Sequence, residues 1–396
     1  MLFGIPLADL SGRVCVKRVW QNRSAALVDF SIVVAIPACD EEGRIRRCLE
    51  AICSQDGMAY LDVAILVFVN GSQDRTFAEA VNFSESVTVP MAIVEADLPD
   101  ARRDAGTARC VAVELAARMG SNDGLLFVTD ADSVVPTGWI ERYLRVFTEF
   151  RCDAIAGLSD MFQDDLGTLP QSLMDRGDWE GRYESCLDAL EAWIDPLPHD
   201  PWPRHYQASG ANLVLKMGLV REASDWVWPA CGEDKALVEF LEDRDYRVRH
   251  DTSVRVLTSG RLFGRAKGGM AETMRHRIVE PESPCDIRLE RLDRAYFRAR
   301  SRRICRELYA RQDDRRASIS RFAARVQLSP QVVEDALALP HFGSAWRRIE
   351  SSSERLARHA LSPSQLPLQC ARAESLLARF GLSFASVPQP IAMPAS

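Results

Sequence analysis

Long apolar runs are missing from this 396-residue chain. The densest, Val63 to Val69, falls far short of the roughly 20 residues that span a bilayer, which excludes an integral helical membrane protein. A surplus of positive charge is missing too. The 49 Lys and Arg stand against 56 Asp and Glu, a net charge of −7, so nucleic acid is not an expected partner. Eleven cysteines run from Cys15 to Cys370 without one C-x-x-C pair, which argues against a disulfide framework and a structural zinc site. They read as reduced, mostly buried thiols. The first thirty residues hold Lys17, Arg18 and Arg23 but no apolar core with a cleavage site, so the expectation is no signal peptide and a cytoplasmic address. What remains is ordinary for a globular protein: 47% hydrophobic and 27% charged residues, in a chain long enough for two or three units or one large α/β domain.

Strand and helix patterns alternate along the first 160 residues. Ser31 to Ile36 and Val63 to Val69 read as buried parallel strands, and between them Ile45, Cys48, Leu49 and Ile52 give Glu41 to Cys53 one inward helical face. A weaker strand at Met91 to Val94, a helix at Asp104 to Met119 and a strand at Leu125 to Thr129 follow. This is the pattern of an open, mostly parallel α/β sheet, whose ligand crevice lies beyond the carboxyl ends of its strands. From Asp160 to His205 periodicity gives way to aromatics and turn formers, the sign of a long connection serving a site. Regular structure is expected again at Ala211 to Lys216, in a helix from Gly232 to Glu242 and in strands at Tyr246 to Arg249 and Val254 to Leu257. Past Met270 as far as Arg325 there are 15 Arg against 9 Asp and Glu, with helical spacing, which predicts a helical appendage. The expected organisation is a segment 1–30, a domain 31–270 with halves 31–135 and 136–270, a helical region 271–385 and a tail 386–396.

Polar signals collect where that crevice would lie. The first strand ends in Pro37-Ala38-Cys39-Asp40-Glu41-Glu42, the second in Asn70-Gly71-Ser72-Gln73-Asp74-Arg75-Thr76, and the third strong one in Asp130-Ala131-Asp132; Gly232-Glu233-Asp234 opens a later helix. Each alone is as well read as a turn or a helix cap. Their shared placement points to a site.

In these motifs the sequence, over about residues 31 to 260, resembles the family 2 glycosyltransferases of the GT-A fold. Pro37 with Asp40, Glu41 and Glu42 matches the family's opening, Val69 to Thr76 its D-D-G-S-x-D-x-T segment, Gly106-Thr107-Ala108-Arg109 its G-x-A-R, Asp130-Ala131-Asp132 its D-x-D, and Glu233-Asp234 its E-D pair. The resemblance implies a metal-dependent, inverting, hexosyltransferase-like enzyme that moves a sugar from a UDP- or GDP-linked donor to a hydroxyl of a glycan, lipid-linked sugar or small molecule, as in polysaccharide biosynthesis. It implies Asp132 and Asp130 on a magnesium or manganese ion, Asp234 with Glu233 at the catalytic base, and donor contacts from Pro37, Cys39, Glu41, Asn70, Asp74, Arg109 and Asp130. Gly210, Ala211 and Asn212 take the place of the loop near donor sugar and acceptor. A divalent cation suits this chemistry because negative charge grows on the diphosphate as the glycosidic bond breaks, and the attacking hydroxyl needs a carboxylate to take its proton.

Departures from the family pattern are specific. Cys39 stands where an aromatic residue often stacks on the base, and Asn70 where an Asp reads its edge, which opens the question of a guanosine donor. No histidine stands at Thr258-Ser259-Gly260-Arg261, where a late metal ligand is often found; His250 and His276 lie to either side. Arg261 and Arg265, among glycines, read as an anion-binding lid over the diphosphate or as a basic surface loop. A catalytically inactive nucleotide-binding relative and a sugar-phosphate nucleotidyltransferase are the alternatives. The basic C-terminal helices admit a peripheral contact with anionic lipid at the inner membrane face.

Overall fold

The computed structural model describes residues 2, 14–23, 29–58, 61–102, 104–223, 229–264, 268–311 and 316–382. Its elements begin with β1 (Cys15–Gln21), β2 (Phe30–Ala38), α1 (Ile45–Cys53), β3 (Val63–Asn70), α2 (Thr76–Ser84), β4 (Met91–Asp97), α3 (Ala105–Met119), β5 (Gly120–Val128), α4 (Trp139–Phe150) and β6 (Ala154–Met161). They continue with α5 (Gln163–Leu166), α6 (Gln171–Ile194), β7 (Leu213–Lys216), α7 (Met217–Glu222), α8 (Glu233–Asp243), β8 (Val248–Thr258) and α9 (Met270–Val279). Five helices close the described chain: α10 (Leu292–Ala310), α11 (Arg316–Val326), α12 (Pro330–Leu337), α13 (Phe342–Ser352) and α14 (Leu366–Arg379).

One eight-stranded sheet runs β1-β4-β3-β2-β5-β7-β6-β8. Its centre, β4-β3-β2-β5, is parallel, with Ile32 opposite Val63 and Leu125. Both faces of that centre are covered, which is why β3 reads as one continuous apolar run and is buried at every residue. Towards the sides, β1 pairs antiparallel with β4, and β7 antiparallel with β5 and β6. On one face α1 inserts Ile45, Cys48, Leu49 and Ile52 into a core shared with Phe127, Trp139 and Tyr143, whose rings meet edge to face. The other face carries α3, packed on β2, β3 and β5. The parallel sheet, its flanking helices and the helical C-terminal region are those expected from the pattern.

By its packing the chain divides into two units at several points. One comprises Met1–Thr168, Gln207–Val238 and Ser253–Thr273; the other, Leu169–Tyr206, Glu239–Thr252 and Met274–Ser396. In the second, α6, α10 and α14 enclose Tyr183, Leu187, Leu190, Ala299, Leu366 and Cys370. Farther along α10, Leu308 joins α11 to α13 around Phe322, Val333 and Ile349.

Two sequence expectations are corrected here. The stretch from Asp160 to His205 is no irregular connection, because α6 occupies 24 residues of it. Polar Arg176 and Asp188 are buried on α6 beside Tyr183 and Leu190, so it lacks the single apolar stripe by which a sequence announces a helix. The two late strands are one, β8. The tail 386–396 lies outside the described residues. All eleven cysteines are free thiols, and Cys48, Cys110, Cys152, Cys186, Cys285, Cys305 and Cys370 are buried.

Asn212, at the start of β7, shows how the first unit is pinned. It is fully buried; its Oδ1 accepts from Trp139 Nε1 (3.1 Å) and from the Tyr143 hydroxyl, while its Nδ2 donates to the carbonyls of Leu158 (2.8 Å) and Val254 (3.1 Å). Asn212→Ala takes a partner from Trp139 Nε1 and from the carbonyls of Leu158 and Val254, all buried. It is expected to cost at least about 3 kcal/mol, read from urea unfolding, since each buried group left unpaired costs about 1–3 kcal/mol.

Candidate active site

At the carboxyl ends of β2 and β3 two loops are laced together. Asp40, at φ +50°, donates its backbone N–H to Ser72 Oγ (2.9 Å) and accepts the Gln73 N–H on Oδ1 (2.7 Å). The Glu41 N–H reaches Thr76 Oγ1 (2.7 Å), the Glu42 N–H reaches Asp74 Oδ2 (3.0 Å), and Glu42 Oε2 takes the Arg75 N–H (2.9 Å). Asp74 Oδ1 also accepts the Thr76 N–H (2.9 Å), so both oxygens of this expected donor contact serve the loops themselves. Buried Asn70 accepts the Leu98 N–H (3.2 Å), while Pro37 and Cys39 are half-buried at the end of β2.

Beside these loops a buried arginine gathers the acidic motifs. Asp104 caps α3 by accepting the Thr107 N–H (2.7 Å), and on the next turn Arg109 donates from Nη1 to Asp130 Oδ1 and from Nε to Glu233 Oε1, each at 2.7 Å. Burial works against this guanidinium, but Asp130, Glu233 and Asp234 outweigh it and hold its proton more firmly than usual. Gly210 allows the approach, because a Cβ there would sit 2.3 Å from Arg109 Cζ. The Gly210 N–H in turn donates to Asp234 Oδ2 (2.9 Å), and Asp234 Oδ1 accepts from the Lys235 N–H (2.7 Å). Gly232, at φ +70°, turns the chain into α8 so that Glu233 and Asp234 stand in its first turn. Of that pair Glu233 is buried against Arg109, and Asp234 remains partly exposed.

A second arginine does for Asp132 what Arg109 does for Asp130. Arg261 clasps buried Glu41 with Nη1 (3.1 Å) and Nη2 (2.7 Å), and its Nη2 lies 3.3 Å from Asp132 Oδ2. The segment bearing it is fixed by the Gly260 N–H, which donates to Asp165 Oδ2 (2.7 Å), and Thr258 Oγ1 approaches Asp132 Oδ1 (3.4 Å). Burial, then the charges of Asp130 and Glu41, push the Asp132 carboxyl up to about 6, while Arg261 and Arg44 pull it back. A cavity of about 400 Å³ opens beside it, lined among others by Arg44, Arg47, Asp132, Phe162 and Asp165, with the Arg47 guanidinium 4.7 Å from the Phe162 ring centroid.

Glu41, Arg109, Asp130, Asp132, Gly210, Glu233, Asp234 and Arg261 thus connect through shared partners at one end of the sheet. Asn212 does not join them through its side chain: it is a strut of the core, and Ala211 is buried with its carbonyl accepting Thr129 Oγ1 (2.8 Å). Arg265 lies outside the described residues. Arg44, Arg47, Phe162 and Asp165 were missed. Arg44 and Arg47 follow Glu41 at helical spacing, a signal that was available; Phe162 and Asp165 reach the cleft only through the position of α5.

Among the described residues no three His, Cys, Asp or Glu side chains gather as ligands of a metal ion. His250 is held by Asp200 in the second unit (3.3 Å), and exposed His276 lies 3.8 Å from Glu280. Asp132 and Asp130 nonetheless offer hard oxygen donors. A magnesium or manganese ion keeps water and phosphate oxygens in its shell, so two carboxylates suit it, and a cation would relieve the crowding that raises Asp132.

A parallel sheet with carboxylates and arginines gathered at the carboxyl ends of its strands defines an α/β enzyme with its crevice at that edge. Residues 33–195 match the model of the family described as Glycosyl transferase family 2, a match that supports a glycosyltransferase. No curated protein matches the sequence. Among solved structures it is similar to the mannosyltransferase PcManGT of Pyrobaculum calidifontis in complex with GDP-Man and Mn2+, at TM-score 0.43 and 14% identity over 89% of this chain and 76% of that one. It is also similar to TarS residues 1–349 of S. aureus in complex with UDP-GlcNAc, at TM-score 0.42 and 14% identity over 89% and 93% of the two chains. Among the described residues no helix is long and apolar enough to cross a membrane.

The position of Arg261 generates a pH prediction. Because Asp132 titrates near 6 in the folded protein against an ordinary 3.8, its protonation stabilises the fold as pH falls from about 6 towards 4, and that contribution is lost as pH rises through about 6. Arg261→Ala removes a charge that lowers this midpoint. Carbon-13 titration of the Asp132 carboxyl is expected to show it moving upward; an unmoved or lower midpoint would contradict the geometry.

Proposed function

We propose that this glycosyltransferase uses a nucleotide-diphosphate sugar, UDP- or GDP-linked, and transfers it with inversion to an acceptor hydroxyl of a glycan, lipid-linked sugar or small molecule. The observation that carries this reading is the pair of linkages from one sheet edge: Arg109 to Asp130 and Glu233, and Gly210 to Asp234. They bring the D-x-D carboxylates and a partly exposed aspartate at a helix start into one neighbourhood. A leaving diphosphate and an attacking hydroxyl need such groups on opposite sides of the anomeric carbon.

Asp234 takes the hydroxyl proton in this proposal. Its Oδ2 is fixed by the Gly210 N–H and its Oδ1 by the Lys235 N–H, so its orientation is set before substrate arrives and the proton is delivered to a carboxylate already in place. Glu233 acts as a positioning residue, holding Arg109 and through it Asp130. Asp132, with Asp130, would hold a divalent cation, which when bound supplies positive charge against the departing diphosphate. Arg261 leaves Glu41 and Asp132 to meet the diphosphate, the lid role foreseen for its loop. The laced loops that carry Pro37, Cys39 and Asn70 frame the nucleoside.

Asp234→Asn keeps an oxygen for the Gly210 N–H and removes the base. With UDP- and GDP-sugars, Mn2+ and a panel of hydroxyl acceptors, transfer is expected to fall by about 10²-fold or more while the melting temperature holds. Undiminished transfer in that variant would remove Asp234 from the mechanism. Arg261→Ala is expected to raise the KM for the donor more than it lowers kcat, and an unchanged KM would take Arg261 off the diphosphate.

A further inference from the structure

The C-terminal helices are rich in arginine, and several of those charges are paired within the fold. On α10, Arg298 is paired with Glu290 (2.7 Å) and Glu350 (2.9 Å), Arg306 with Asp195 (2.9 Å) and Arg303 with Glu307 (2.7 Å). Beyond it Arg347 is paired with Glu239 (3.3 Å) and Arg358 with Glu350 (3.6 Å). Three further arginines of the same unit are set apart by their clustering around one aromatic ring. Among the described residues Arg300, Arg325 and Arg355 form no ion pair, and they stand together. The guanidinium of Arg325 lies 4.5 Å from the centroid of the Phe297 ring and that of Arg355 lies 4.7 Å from it. Arg300 follows Phe297 by one helical turn.

The frame beneath them is fixed by buried hydroxyls. Ser301 Oγ donates to the Phe297 carbonyl (2.8 Å) and accepts from Arg325 Nε (3.1 Å), joining α10 to the last turn of α11. Ser353 Oγ donates to the Val326 carbonyl (2.6 Å), joining the end of α11 to the short 3-10 turn that bears Arg355. Arg294 Nη1 reaches the Ala357 carbonyl (2.9 Å) and ties that turn back to α10. The aromatic face supplies an attractive seat for two cations, and the same clustering exacts a cost: burial, then Arg300 and Arg355, make Arg325 easier to deprotonate than a free arginine. An anion would relieve that repulsion.

We propose that Arg300, Arg325 and Arg355, seated around Phe297, form a binding site for a phosphate group, separate from the transferase chemistry. Planar guanidinium forks match phosphate oxygens in pairs, and three positive charges without a carboxylate exceed what one carboxylate ligand would balance. The phosphate could belong to a soluble phosphate compound or to a lipid headgroup; the chemistry at the site is the same.

The test uses the full-length protein, inorganic pyrophosphate as the soluble probe, and vesicles of phosphatidylcholine with or without phosphatidic acid as the lipid probe. Arg325→Gln with Arg355→Gln removes two charges at partly exposed positions, and a melting temperature and sugar-transfer rate equal to the parent's show that fold and reaction are intact. Pyrophosphate titrations in the presence of saturating nucleoside diphosphate, which occupies the donor site of the proposed reaction, are expected to give a dissociation constant at least tenfold weaker in the double variant. Loss of vesicle binding alone in the variant would assign the phosphate to lipid. If parent and double variant bind both probes equally, or neither probe binds the parent, the proposal is overturned whatever the transfer assay shows. Should the double variant unfold, Arg300→Gln alone, at an exposed helix position, must still weaken the same binding.

Discussion

One buried guanidinium holds the crevice in register. Arg109 comes from α3, Asp130 from the end of β5, Glu233 from the first turn of α8 and Gly210 from the approach to β7, so four distant stretches of chain converge on a single planar cation. Removing it would leave buried Glu233 and half-buried Asp130 without that counter-charge, which is far more costly than never having placed them there. The close passage of Gly210 past the guanidinium shows that this is a fitted contact, and it also fixes the backbone N–H that orients Asp234.

Charge in the crevice is deliberately unbalanced. Glu41, Asp130, Asp132, Glu233 and Asp234 face Arg109, Arg261 and Arg44, and the surplus is negative. A nucleotide diphosphate brings further negative charge, so a donor arriving alone would be repelled. The proposed cation answers that difficulty, and the raised carboxyl of Asp132 marks the point where positive charge is most wanted. Arg261 fills the need in the unliganded protein, resting on Glu41 and Asp132 together.

Much of the sheet could be read directly from the chain, because strands buried on both faces leave uninterrupted apolar runs and the acidic motifs sit at their ends. Ser31 to Ile36, Val63 to Val69 and Leu125 to Thr129 all fall within or at the end of parallel strands of the structure. What escaped was whatever depends on tertiary context. The helix α6 hides its character because Arg176 and Asp188 are buried along it, Arg176 donating to the Pro281 carbonyl and Asp188 paired with Arg288, both distant in sequence. Asn212 looked like a loop residue because its four partners come from α4, β6 and β8, none adjacent in sequence. The clasp of Arg261 on Glu41 spans more than two hundred residues and leaves no local pattern at all.

The reciprocal bonds between the turns after β2 and β3 make those turns one mechanical body. Asp40 and Glu42 of one turn hold backbone groups of the other, while Ser72, Asp74 and Thr76 return the hold. A change in either turn is therefore felt by its neighbour, and neither can drift alone. Diversification of whatever ligand these turns frame must proceed by matched replacements on both sides.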